Sequence, residues 1–146
     1  VDLNATYIFH APPEQVFDLL TEPTVVASCL PGCEQLEPIG ENRYRAVLSM
    51  GLAMITGRYE GTVELQDLTR PSSYKLVVEG RGLPGFVKGH AEIELSLSPE
   101  GTRVNLRGHA QIGGAIARVG QRLIAGASKA MTDQFFNCLH KKLAGS

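Results

Sequence analysis

Leu3, Ala5, Tyr7 and Phe9 alternate with Asn4, Thr6 and Ile8, a period of two that predicts a strand with one preferred inner face. His10 to Pro13 ends it. "PPEQVFDLLTE" then opens with proline in a first-turn position and places Val16, Phe17, Leu19 and Leu20 at helical spacing, which predicts a short helix. A second short helical piece, "TVVASCL", stops at Pro31-Gly32. From Cys33 onward the pattern returns to period two for about 80 residues, broken at intervals by turn chemistry. The predicted strands are Glu34–Pro38, Arg43–Met50, Arg58–Leu68, Tyr74–Gly80, Phe86–Ser98 and Thr102–Ile112. Tyr59, Gly61, Val63 and Leu65, and again Val104, Leu106, Gly108, Ala110 and Ile112, mark an apolar side; Arg58, Glu60, Thr62, Glu64 and Arg103, Asn105, Arg107, His109 mark a wet one. A one-sided antiparallel sheet must have its apolar face covered. After Gly113-Gly114, Ile116, Val119, Leu123, Ala127, Met131, Phe135 and Leu139 recur at three- and four-residue steps with no intervening proline. They predict one long amphipathic helix of about 28 residues, roughly 42 Å, as the cover. His140, Lys141 and Lys142 give its last turn the charge a helix C-terminus favours. The expected architecture is α+β: a curved seven-stranded antiparallel sheet wrapped around a C-terminal helix, with two short helices after the first strand, as one domain over residues 1–146.

Composition narrows the function. The chain has 146 residues, with 14 basic against 15 acidic side chains, so no global attraction to nucleic acid is encoded. The N-terminus shows no basic region followed by an apolar run, and no stretch approaches the ~18 apolar residues of a membrane span. Three cysteines, Cys29, Cys33 and Cys138, are an odd number at low density, poor material for a disulfide framework and in keeping with a reducing, intracellular setting. "CLPGCEQLEPIG" brings two of them within four residues. A structural zinc site needs four ligands, and beyond these cysteines the chain offers only the scattered His10, His90, His109 and His140. Nor does Cys-x-x-x-Cys match the Cys-x-x-Cys spacing of redox motifs. The stretch reads as a Pro-Gly corner with small apolar thiols packed beside it.

Candidate catalytic groups are as sparse. There is no G-x-S-x-G elbow, and His90, His109, Glu60, Glu64, Glu92 and Glu94 all fall on the wet side of the sheet. Tyr59 and Tyr74 share the apolar phase instead, and a buried tyrosine usually finds a hydrogen-bond partner, a role a ligand carbonyl can fill. Glycines at 80, 82, 85 and 89 either curl the long sheet through bulges or border an entrance whose loop tips carry Leu52, Met54, Ile55, Leu83 and Phe86. Ala115, Ala117, Gly120, Ala125, Gly126, Ala127 and Ala130 make the first half of the last helix slim, which leaves room above a broad sheet for a hydrophobic ligand. Methionines adapt such a space to varied shapes. The expected cavity residues are Leu48, Met50, Leu52, Met54, Tyr59, Val63, Tyr74, Leu76, Val78, Phe86, Ile116, Val119, Leu123, Ala127 and Met131; no catalytic or metal-ligating residue is expected. Burying an isoprenoid unit of about 100 Å² contributes roughly 2.5 kcal/mol before ordering costs, so a long tail binds without any charged contact.

The element order resembles the START-like, or helix-grip (SRPBCC), fold. Within it, "APPEQVFDLL", "CLPGCEQLE", "YEGTVELQD", "GFVKGHAEIEL" and "VGQRLIAGASKAMTDQFF" are together similar to the carbon monoxide dehydrogenase G subunit (CoxG) family, a resemblance that covers essentially the whole chain. It implies an accessory protein rather than the dehydrogenase: a non-enzymatic binder of a quinone, menaquinone-like, that links a molybdenum-containing carbon monoxide dehydrogenase or related hydroxylase to the membrane quinone pool. It further implies a cytoplasmic location, peripheral to the inner face of the cell membrane. Many members continue past the last helix into a linker and hydrophobic anchor, which the sequence ending at Ser146 does not include. Gln121 and Arg122 lie in the matched segment, and Arg122 either hydrogen-bonds a head group or points to solvent. Two other readings stay open on the same fold: a cyclase or dehydratase with Tyr59 or Tyr74 as its acid, and a scaffold whose apolar loop tips recruit the dehydrogenase to the membrane.

Overall fold

Prolines set the first two corners. Strand β1 (Asp2–Phe9) gives way to Pro12 in an extended conformation, and Pro13 occupies the first position of helix α1 (Pro13–Thr21). Its fixed φ suits that position and its missing N–H costs nothing there. Pro23 starts α2 (Pro23–Cys29) in the same way. The computed structural model describes residues 1–51 and 56–144. The expected loop-tip residues Leu52, Met54 and Ile55 lie outside these residues.

Beyond the Pro31-Gly32 turn, the chain runs through β2 (Cys33–Gly40), β3 (Arg43–Met50), β4 (Gly57–Thr69), β5 (Ser73–Gly82), β6 (Gly85–Ser98) and β7 (Gly101–Gly113). They form one antiparallel meander, and β1 joins its far edge to give the order β1-β7-β6-β5-β4-β3-β2. This is the helix-grip arrangement expected from the alternation. Most strands run a residue or two longer than predicted, because the turn glycines at 57, 82, 85, 101 and 113 join the ladders.

The C-terminal segment departs from the prediction of one continuous helix. Residues Ala115–Val119 form a 3-10 turn, and the helix proper, α3, spans Gln121–Ala144. Gly120 sits between them at φ 94° and ψ 149°, a backbone shape that only glycine adopts readily and that no helix contains. The break is anchored: the Ile116 N–H donates to the Pro84 carbonyl at 2.8 Å, which ties the 3-10 turn to the β5–β6 turn. It also resets the helical phase. Leu123, expected on the inner stripe, is 61% exposed, and Ile124 is buried in its stead at 7%.

The packed core lies toward one end of the sheet, beneath α1 and the second half of α3. Phe9, Val16, Phe17, Ile93, Val104, Phe136 and Leu139 close it. Phe136 stacks on Tyr7 with ring centroids 3.9 Å apart, and His140 stacks on Phe9 at 4.2 Å. Two polar contacts fix α3 against β1. The Tyr7 hydroxyl donates to Asp133 Oδ1 at 2.7 Å, and His140 Nε2–H donates to the Ile8 carbonyl at 2.7 Å. Burial and the neighbouring Asp133 carboxylate push the Tyr7 phenol up, so it stays a donor.

The cysteines correct the reading of their count. Cys29 at the end of α2 and Cys138 on α3 form a disulfide, with Cα atoms 5.4 Å apart, and Cys33 is left as the free thiol. The partner of the corner cysteine is therefore a residue 109 positions away rather than the neighbour four residues on. Cys33 donates weakly to the Gln35 carbonyl at 3.4 Å, and burial pushes its thiol up, away from reactive thiolate.

Candidate functional site

On the inner pleat of the sheet, side chains shrink toward the end opposite the core. Ala46 pairs with Gly61, Gly61 with Gly80, Gly80 with Val87 and Val87 with Ile112, so three adjacent strands present at most a methyl group at one level. One level nearer the core the sequence Tyr44, Val63, Val78, Gly89, Ala110 crosses the sheet, again small over β6 and β7. The helix above contributes Ile124, Ala127, Ser128 and Met131 at that end, and the larger Phe135 and Phe136 only further on. Small floor below and slim helix above leave the space unfilled.

Two adjoining lobes result. The first, about 330 Å³, lies between β3–β7 and the start of α3; the second, about 360 Å³, lies between α2, the middle of the sheet and the middle of α3. Leu30, Val63, Val78, Ser128 and Met131 line both, so the lobes share a wall rather than standing apart. Each volume lies within the range of small-molecule sites.

Most of the sequence-predicted residues meet here. Leu48, Met50, Tyr59, Val63, Val78, Ile116, Ala127 and Met131 line the first lobe, and Tyr74 and Leu76 line the second. Three do not. Phe86 lies on the outward pleat, paired with Arg81, and its ring lies over Gly113, where any Cβ would collide with it; Val87 takes the inward place. Leu123 points to solvent for the phase reason given above, and Val119, half-buried in the 3-10 turn, lines neither lobe. Leu52 and Met54 fall outside the described residues. Sequence reasoning missed the contribution of the helical cap: Leu20, Pro23, Val26 and Leu30 wall the second lobe. It also missed Ser128 and Thr132, two hydroxyls in an otherwise apolar inner stripe.

The lobes carry little charge. Among the described residues, no Lys, Arg or His lines either one. Glu60 and Glu79 flank the floor glycines from outward pleat positions, where both are exposed and Glu60 pairs with Arg45. The polar groups inside are hydroxyls. Thr21 donates to the Phe17 carbonyl at 2.9 Å and Thr132 to the Ser128 carbonyl at 2.7 Å, so both are satisfied by their own helices. Tyr59 and Tyr74 are buried at 6% and 4% exposure, and burial pushes both phenols up from their ordinary range. At neutral pH they are donors and poor acids. The site can hold an apolar molecule and offer it neutral hydrogen bonds.

The first lobe reaches toward an apolar rim. Met50 pairs with Gly57, and Pro84 packs close above Gly57, beside a Leu83 side chain that is fully exposed. Among the described residues, no helix is long and apolar enough to cross a membrane.

Solved structures share this fold. A conserved protein from Geobacillus kaustophilus superimposes with a TM-score of 0.96 at 35% identity, over 100% of this chain and 97% of that one. An uncharacterised protein from Rhizobium leguminosarum gives 0.77 at 13% identity, over 100% and 95% of the two chains. A protein from Thermus thermophilus gives 0.73 at 19%, over 100% and 99%. No curated protein matches the chain. The model of one family, the carbon monoxide dehydrogenase G subunit, matches residues 8–144, and the chain belongs to that CoxG family.

Proposed function

We propose that the protein is a non-enzymatic carrier of a neutral apolar ligand of the quinone class, menaquinone-like, that serves a molybdenum-containing carbon monoxide dehydrogenase at the inner membrane surface. The observation that carries this reading is the two-lobed cavity, lined by apolar side chains and free of cationic ones among the described residues. Walls this apolar offer a guest dispersion contacts on every side and offer water almost no hydrogen-bond partners, so an apolar guest is favoured over water. A carboxylate or phosphate would lose its hydration there with no counter-charge, which favours a neutral head group. The dehydrogenase as partner rests on membership of the family, and the quinone class on the family resemblance together with a cavity suited to a neutral apolar guest. The exposed Leu83 beside the first lobe supports contact with a lipid or protein surface during loading. Raised phenol pKa values at Tyr59 and Tyr74 favour binding over acid catalysis.

Solvent extraction of the purified protein, followed by chromatography, and native mass spectrometry with added menaquinone test the reading. A co-purifying or newly bound quinone, at one per chain, is expected. Absence of both, in protein that melts cooperatively, would overturn it.

A further inference from the structure

Tyr74 stands on the inner pleat of β5 at the core end of the second lobe. Its ring is held edge-on by Phe17, with centroids 5.6 Å apart and planes at 85°, and it pairs across the sheet with Ile93. The residue is only 4% exposed and lines the lobe. Yet among the described residues its hydroxyl makes no hydrogen bond, whereas Thr21 and Thr132 in the same walls donate to their own helices. Among the described residues, every fully enclosed side-chain nitrogen or oxygen does have a partner. The Tyr74 hydroxyl is therefore an unpaired group that keeps some accessible surface, and at a residue so buried that surface belongs to the lobe. Leaving a buried donor unmade is costly, and buried phenols ordinarily find a partner.

We infer that Tyr74 is the polar anchor of the cavity: its hydroxyl donates to a carbonyl oxygen at one end of a neutral ligand, which lies head-first in the second lobe with its apolar tail in the first. This rests on the carrier reading and adds to it an orientation and a specificity. Along β5 the inward residues after Tyr74 are Leu76, Val78 and Gly80, about 20 Å of strand without a polar side chain. Tyr74 thus stands at one end of this β5 path, which runs from it toward Met50 and the rim, while the hydroxyl of Ser128 lies on the α3 wall that the two lobes share. Because the phenol stays protonated and no cation faces it among the residues lining the lobe, the site reads an uncharged acceptor and rejects a carboxylate.

Calorimetric titration of wild type and Tyr74→Phe tests the anchor with three probes: a 1,4-naphthoquinone bearing one prenyl group, the same prenylnaphthalene without carbonyls, and palmitate. The variant is expected to bind the quinone about three- to tenfold more weakly, the worth of one neutral hydrogen bond, and the hydrocarbon equally well. Palmitate is expected to bind neither protein. The infrared carbonyl band of the bound quinone gives a second readout: it should lie lower in wild type than in hydrocarbon solvent, and rise in Tyr74→Phe. Equal weakening for quinone and hydrocarbon would reduce Tyr74 to packing, and an unshifted carbonyl band in wild type would overturn the anchor without any variant. Wild type that takes neither quinone nor hydrocarbon would overturn the carrier reading itself. Palmitate bound as tightly as the quinone would overturn the neutral specificity.

Discussion

Gly80→Leu is expected to weaken binding of a prenylated quinone by roughly a hundredfold while leaving the fold intact. A Cβ built on Gly80 meets no atom within 4 Å, and Gly80 forms part of the floor of the first lobe. A leucine there would occupy space now open and displace about three methylene-sized pieces of tail. At about 0.8 kcal/mol each they amount to roughly 2.5 kcal/mol, which is close to a hundredfold in Kd. Stability should hold or rise. Glycine in a strand costs about 0.5–1 kcal/mol through unfolded-state entropy, so the melting temperature is expected to climb by about 1–4 °C. Its cross-strand partner behaves in the opposite way. A Cβ on Gly61 would collide with the Glu79 carbonyl oxygen, a backbone atom that cannot step aside without opening the β4–β5 ladder. Gly61→Ala is therefore expected to cost about 3 kcal/mol or more. Thermal melts and quinone titration of the two variants separate the roles. Wild-type affinity in Gly80→Leu would mean that the tail does not use the first lobe.

These two glycines also mark where the sequence is readable and where it is not. Alternation at Tyr59, Gly61, Val63 and Leu65 identifies the inner face correctly, because a sheet with one wet side leaves no freedom of phase within a strand. The same logic fails where phase has to be carried across a break. Phe86 follows the β5–β6 turn and reads as an apolar tip, but its register partners Arg81 and Gly113 put it on the outer pleat and hand the inner place to Val87. Leu123 falls on the stripe only when that stripe is extended from Ile116 through Gly120, and the helix begins only after that glycine. A glycine within an apolar stripe is compatible with both a slim helix and a helix start, so composition cannot choose. The walls supplied by α2 escape sequence reasoning for another reason. Leu30 and Val26 reach the second lobe only because α2 folds over the sheet edge toward α3, a tertiary relation with no signature in local spacing.

That relation is fixed covalently, and cutting it is expected to lower the melting temperature by about 6–12 °C. The Cys29–Cys138 disulfide closes a loop of 109 residues. The chain-entropy argument assigns a bridge of this span about 4.7 kcal/mol, with observed losses in small domains of about 2–5 kcal/mol. At about 2–4 °C per kcal/mol for a domain of this size, a loss near 3 kcal/mol gives the stated shift. Three cysteines allow three pairings, and the count alone suggests none; only the approach of α2 to α3 selects Cys138 over the nearer Cys33. Cys138→Ala and reductant should therefore lower the melting temperature alike and not additively, and Cys33→Ser should leave both melting and quinone binding as in wild type. The bridge does more than staple the chain ends of the cap. Pro23 and Val26 of α2, with Leu30 just after it, wall the second lobe, opposite Ser128, Met131 and Phe135 of the helix to which Cys29 is tied. Releasing α2 loosens that wall, so reduced protein should exchange bound quinone faster than oxidised protein at the same temperature. Stopped-flow displacement with and without reductant measures it. Equal off-rates would confine the disulfide to global stability, and a melting temperature unmoved by reductant would show that the two thiols are not joined in solution.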